Sequence, residues 1–245
     1  GPMLGGLALT KLGAAWCFGL NGLSFVAVIV ALVRLHVRFV PPKTSGSMLA
    51  SMKEGIGFIR RQGVMEALIA LAFSMTVLGM PLVVFLPVFA RDVFHRGPST
   101  FTLLLSVHGA GSVAGALVVA GLGNLRHKGR VALALLAGLG AAVAGFSLST
   151  SLAVSCVLLF LSGAALISVF SLVTSLVQLL TSDEMRGRVM SVYNVAFRGG
   201  MPFGSLAAGS LAPVFTVPVV LACCGLLLSA LGLSFLLGRH KLAAL

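Results

Sequence analysis

LAVSCVLLFLSGAALISVFSLVTSLVQLL, residues Leu152 to Leu180, contains no charged side chain and no proline. A helix needs about 20 apolar residues to cross a bilayer. This stretch exceeds that length and carries no turn signal that would divide it into strands. Working outward, comparable runs occur at Gly13–Leu35, Val64–Ala90, Thr100–Leu122 and Val131–Leu148 on one side, and at Val189–Val214 and Phe215–Leu237 on the other. Seven full spans are expected, preceded by a stub over Gly1–Thr10. Pro81, Pro87, Pro202 and Pro213 fall inside spans, where neighbouring helices can re-satisfy the freed backbone groups. The expected fold class is an all-α, polytopic membrane protein.

Composition agrees. Of 245 residues, 58% are hydrophobic and 9% charged, and the mean hydropathy is +1.12, against about 25% charged residues in a soluble domain. These values exclude a soluble globular enzyme. The net charge of +12 sits in short gaps between apolar runs, not on aromatic-interleaved polar surfaces, so the partner is a bilayer and not nucleic acid. Cys17, Cys156, Cys223 and Cys224 lie within apolar runs without metal-ligand spacing; they read as small hydrophobes, and neither a metal nor a cofactor is expected.

Basic residues segregate by loop. One face carries Arg34, Arg38, Lys43, Lys53, Arg60, Arg61, Arg126, Lys128, Arg130, Arg186, Arg188, Arg239 and Lys241; the other carries Lys11, Arg91 and Arg96. This asymmetry places the long loop and the C-terminus in the cytoplasm. Within the long connection His36–Gly63, Met48, Met52, Ile56 and Ile59 share one helical face opposite Lys53, Glu54, Arg60 and Arg61. An amphipathic surface helix is expected, or else a solvated linker with basic anchors. Gly55 and Gly57 weaken it in isolation, so lipid or the bundle must hold it.

Few polar groups enter the spans. Arg198 lies nine residues into its span, roughly 13 Å at 1.5 Å per residue, near the midplane, where an arginine costs about 2.5–3.5 kcal/mol by insertion scales. Such a charge lines a cavity or pairs internally, which makes Arg198 the leading candidate for contacting substrate or a coupling acid. His108 is a candidate for proton coupling, or for a plain interhelical hydrogen bond. Glu66 is the only acid in any span; it carries protons or pairs with Arg60 or Arg61. Gln178, Asn194 and Tyr193 are further polar groups. Thr181 and Glu184 have the spacing of a capping box, with Asp183 and Glu184 suited to a helix N-terminus. Gly109–Gly115 mimics a dinucleotide loop but lies inside an apolar run; Gly111 and Gly115 read instead as a small-residue helix contact.

Two further stretches carry a family resemblance. Asp183-Glu184-Met185-Arg186-Gly187-Arg188-Val189-Met190-Ser191, continuing through Tyr193-Asn194 and Phe197-Arg198-Gly199-Gly200-Met201-Pro202, resembles the tenth-to-eleventh-helix region of drug and siderophore exporters of the major facilitator superfamily. Gly1-Pro2-Met3-Leu4-Gly5-Gly6 is similar to the end of the fifth-helix motif of such exporters, although a Gly-Pro before Met3 also reads as an expression scar. The resemblance implies the C-terminal portion of a twelve-helix transporter: residues 1–35 ending the N-terminal half, 36–62 as the connecting loop, 63–238 as a six-helix bundle and 239–245 as a cytoplasmic tail. It implies proton-driven efflux of amphiphilic drugs or siderophores across a bacterial inner membrane, with the missing N-terminal helices as partner. It also implies a cytoplasmic gate of Asp183, Glu184, Arg186 and Arg188, and helix packing at Gly1, Pro2, Gly5, Gly6, Gly200, Pro202 and Gly204. The alternative is a truncated or partner-dependent membrane protein that does not transport.

Overall fold

Backbone amides and carbonyls find no water in hydrocarbon, so a chain this apolar satisfies them within its own helices. The computed structural model describes residues 12–35, 48–123 and 127–238. They form α1 (Ala14–Arg34), α2 (Met48–Arg61), α3 (Gly63–Gly79), α4 (Pro81–Val88), a π-helical turn (Phe89–Val93), α5 (Pro98–Gly121), α6 (Lys128–Leu148), α7 (Leu152–Leu179), α8 (Asp183–Phe215) and α9 (Val217–Leu237). The chain divides into two units, Gly1–Ser47 and Met48–Leu245. In the first, α1 is a span-length apolar helix; the second is a helical bundle. Gly1, Pro2, Gly5, Gly6, Lys11, Arg38, Lys43, Arg126 and the tail at 239–245 lie outside the described residues.

Among the described residues, six helical segments are long and apolar enough to cross a membrane: Ala15–Arg34, Gly63–Val93, Pro98–Gly121, Lys128–Leu148, Leu152–Leu179 and Val217–Leu237. The seventh expected span, Val189–Val214, falls within α8, which is ample in length at 33 residues. It does not reach the same apolar content, because Asn194, Arg198 and a series of glycines dilute it.

The second span is interrupted. Pro81 has no amide hydrogen to return to the Val77 carbonyl one turn earlier, so α3 ends at Gly79 and α4 restarts with Pro81 in its first turn. Beyond Pro87 the chain widens into the π-helical turn, closed by the Phe94 amide donating to the Phe89 carbonyl at 2.9 Å. It is against Val77, including its carbonyl oxygen, that Gly204 of α8 packs.

In lipid, helices gain nothing from hiding leucine from hydrocarbon, and close backbone contact with interhelical hydrogen bonds must hold them together. Three such seams build the bundle. Between α5 and α7, Gly111 faces the Phe160 backbone, Gly115 faces Ala164, Gly163 faces the His108 carbonyl, and Ser168 Oγ donates to the Gly115 carbonyl at 3.3 Å. The small-residue contact expected at Gly111 and Gly115 is therefore present. Between α6 and α9, Gly140 and Gly225 pack back to back, and Ser229 Oγ donates to the Ala137 carbonyl at 2.8 Å. Between α3 and α8, Gly200 meets Thr76 and Gly204 meets Val77. The fully buried residues Met75, Leu86, Phe89, Leu133 and Phe146 fill the space these seams enclose.

The amphipathic helix is held by the bundle. A Cβ at Gly55 would lie 3.0 Å from the Arg188 carbonyl oxygen and 3.3 Å from Val192 Cγ2, so a side chain there would push α2 and α8 apart by a few tenths of an ångström. The docked line runs through the expected apolar face: Gly55 and Ile59 are buried, Met52 is half-buried and Ile56 is exposed at its edge.

Replacing Gly140 with Leu forces a side chain into the Gly225 carbonyl and the Ser229 amide, whereas Gly138 faces open space. Gly140→Leu is expected to lower stability in detergent by about 3 kcal/mol, with Gly138→Leu near neutral. Equal thermal transitions for the two variants would refute the seam.

Candidate functional site

Helix α8 carries most of the candidate polar residues, and its two sides differ. At 3.6 residues per turn, Val189, Tyr193, Gly200, Gly204 and Ala208 form the side turned into the bundle, and all are buried. Ser191, Asn194, Arg198, Met201 and Pro202 lie on the opposite side, and all are exposed. Arg198 is near the middle of the 33-residue helix. Among the described residues it has neither an ion-pair nor a hydrogen-bond partner.

The buried side is anchored by aromatic and hydroxyl groups from α7. Tyr193, 1% exposed, shares a 2.9 Å hydrogen bond with Thr174 Oγ1. Phe170 and Phe197 pack with centroids 4.6 Å apart, and Phe197 stacks on Tyr193 at 6.2 Å. Tyr193 thus fixes the rotation of α8 instead of facing outward. Since the Tyr193 side is held inward, Asn194 and Arg198 are held outward.

The N-terminus of α8 departs from the expected capping box. Thr181 is buried; its hydroxyl donates back to the Val177 carbonyl at 2.5 Å, within α7, and lies 3.9 Å from Met65 Sδ. The N-cap is Ser182, without a side-chain cap bond. Continuation of the α7 hydrogen-bond pattern outcompetes capping for this hydroxyl. Asp183 and Glu184 still occupy the first turn, where negative charge opposes the helix dipole.

Two ion pairs involve this end of α8. Arg186 Nη2 lies 2.6 Å from Asp183 Oδ1 within one turn. Arg188 Nη1 lies 2.5 Å from Glu54 Oε2 of α2, with both side chains only partly exposed. This second pair joins the connector to α8 directly above the Gly55 contact. Glu54 was not among the sequence candidates. Its signal is present only in hindsight, as an acid beside the glycine that permits docking.

The remaining candidates are dispersed. His108, 7% exposed, is enclosed in the α5–α7 seam with Nδ1 3.2 Å from Ser162 Oγ. Glu66 is exposed in the first turn of α3 and pairs with neither Arg60 nor Arg61. Gln178 is exposed near the end of α7, and Glu184 is exposed at the start of α8. The structure brings Asn194 and Arg198 to one face and Arg188 to Glu54; it does not bring His108 or Glu66 to either group. Gly200 and Gly204 lie in the α3–α8 seam, while Pro202 is on the exposed side.

A family model described as transmembrane secretion effector, within the major facilitator superfamily, matches residues 1–243. The chain belongs to that family. It is 28% identical to the enterobactin exporter EntS of Citrobacter koseri, covering 98% of this chain and 58% of the relative. Similarity to EntS of Shigella flexneri is 27% over 96% of this chain and 56% of the relative. Similarity to YuxJ of Bacillus subtilis, an uncharacterised transporter of the same superfamily, is 24% over 89% and 56%. The chain spans little more than half the length of these curated relatives. No solved structure matches. Membership of this transporter family, with six apolar span-length helices among the described residues, makes the chain a multi-pass membrane protein.

Two measurements test the geometry around α8. A double-mutant cycle with Glu54→Gln and Arg188→Gln is expected to give a coupling of about 0.5–1 kcal/mol, as for partly exposed pairs; zero coupling would separate the two groups. Tyr193→Phe is expected to cost about 0.6 kcal/mol and Thr174→Val a similar amount, with the double variant no worse than either alone.

Proposed function

We propose that the chain forms part of a proton-coupled exporter of amphiphilic drugs or siderophores in a bacterial inner membrane, with its C-terminus in the cytoplasm. The observation that carries this reading is the outward face of α8. A guanidinium half-way along a membrane-length helix cannot face hydrocarbon cheaply, costing about 2.5–3.5 kcal/mol even by insertion scales. It is turned away from its own bundle and has no partner there. The side it presents is therefore one met by protein or water, as at the interface between the two halves of a transporter, where substrate binds near the midplane.

On that interface Arg198 supplies a planar, permanently charged donor set for an anionic or phenolic oxygen, and Asn194 supplies a donor and an acceptor one turn away. Two of the relatives with which the chain aligns are named as enterobactin exporters, which supports a siderophore as the substrate. The α3–α8 seam gives α8 a firm backing, and the Arg188–Glu54 pair links it to the connector, so Asp183, Glu184, Arg186 and Arg188 suit a gate that opens as the halves rock. His108 serves as an interhelical contact in this reading, since Ser162 and the tight α5–α7 seam enclose it.

Arg198→Gln in the complete protein is expected to reduce efflux at least ten-fold with insertion and folding intact. Arg198→Lys, which keeps charge but loses the planar donor fork, is expected to recover only part of it. Efflux equal to wild type in both variants would overturn the assignment. His108→Gln is expected to leave the pH dependence of efflux unchanged, and a displaced pH profile would transfer proton coupling to that residue.

A further inference from the structure

We propose that a groove beside the connector helix, at the level where α3 begins, binds the headgroup of an anionic phospholipid. The groove has a volume of about 450 Å³ and is lined by Lys53, Glu54, Gly57, Phe58 and Arg61 of α2 and by Met185 of α8. Its charge is positive once its pairs are resolved. Glu54 is engaged by Arg188 and Asp183 by Arg186, whereas Lys53 and Arg61 have no acidic partner among the described residues. The two unpaired acids of neighbouring segments, Glu66 and Glu184, are not part of the lining.

Position selects lipid over a soluble anion. Arg61 precedes the second span, Gly63–Val93, by a single residue, Gln62, and Met185 is in the first turn of α8. Both places fall where a chain leaves hydrocarbon for the headgroup layer. Cations at this depth attract anionic lipid individually, and a two-helix crevice adds fixed geometry. Phe58 and Met185 give it an apolar wall suited to the glycerol and upper acyl region, and the long stems of Lys53 and Arg61 let their charges reach a phosphodiester. Gly57 borders the crevice, and a Cβ there would meet nothing within 4 Å, so the space beside it is open. Gly57 is thus distinguished from Gly55, which touches α8.

The test uses the purified full-length protein in neutral detergent, titrated separately with dioleoyl phosphatidylglycerol, dioleoyl phosphatidylcholine and inorganic phosphate, with bound lipid counted by native mass spectrometry. Phosphatidylglycerol is expected to bind in preference to phosphatidylcholine. The double substitution Lys53→Gln with Arg61→Gln is expected to weaken it about 25-fold, from roughly five-fold per cation. Gly57→Leu, which fills the crevice without removing charge and raises helix propensity, is expected to weaken it at least ten-fold. Loss in the charge variant with no effect of Gly57→Leu would show diffuse attraction and overturn the groove. Equal binding of both lipids, or displacement of phosphatidylglycerol by millimolar inorganic phosphate, would overturn lipid as the occupant. Thermal transitions of the lipid-free variants control for folding, and the lipid preference of the unmodified protein decides the matter should a variant not insert.

Discussion

Hydrocarbon surrounds a membrane helix with material as apolar as leucine, so burial of leucine alone does not draw two spans together. The α5–α7, α6–α9 and α3–α8 seams answer this constraint in the same way, with backbone brought against backbone where side chains are absent. Dispersion acts over short distances, and each missing Cβ lets many more atoms reach contact. The hydroxyl bonds of Ser168 and Ser229 then supply direction at the points of closest approach. Everything else, including which side of α8 faces outward, follows from how these seams fix helix rotation.

The consequences for the polar face are geometric. Gly200 and Arg198 are two residues apart on a helix with 3.6 residues per turn, hence on nearly opposite sides. Packing Gly200 on Thr76 and locking Tyr193 to Thr174 leaves the guanidinium no inward orientation. The same helix extends its influence to the connector, since its Arg188 supplies both the carbonyl that accommodates Gly55 and the guanidinium that meets Glu54. One residue therefore joins a steric contact to an electrostatic one.

What was legible in the sequence was whatever depends on local chain composition. Long uncharged runs located the spans, and the helical spacing of Gly111 and Gly115 located a seam without any knowledge of its partner. Rotational and long-range facts were not legible. In α2 the helical spacing puts Gly55, which docks, on the apolar face and Gly57, which is open, on the charged one, but it does not show which helix the apolar face meets. Thr181 satisfied a capping spacing, yet its hydroxyl had a stronger option one turn back in α7. Pairings such as Glu54 with Arg188, or Phe170 with Phe197, depend on tertiary contact between segments far apart in sequence. The prominence of Arg198 could be read from depth alone, while its lack of a partner required the fold.

The modest apolar content of α8 also bears on how the protein is made. A segment is released from the translocation channel into lipid according to its summed side-chain transfer energies, to which a central arginine contributes about 2.5–3.5 kcal/mol against entry. Its neighbours α7 and α9 are uncharged throughout and enter readily on their own. Helix α8 is thus the segment least suited to enter lipid alone, and α7, which precedes it in the chain, offers Thr174 and Phe170 to the side of α8 away from its arginine. Synthesis order and tertiary contact in this way run in the same direction.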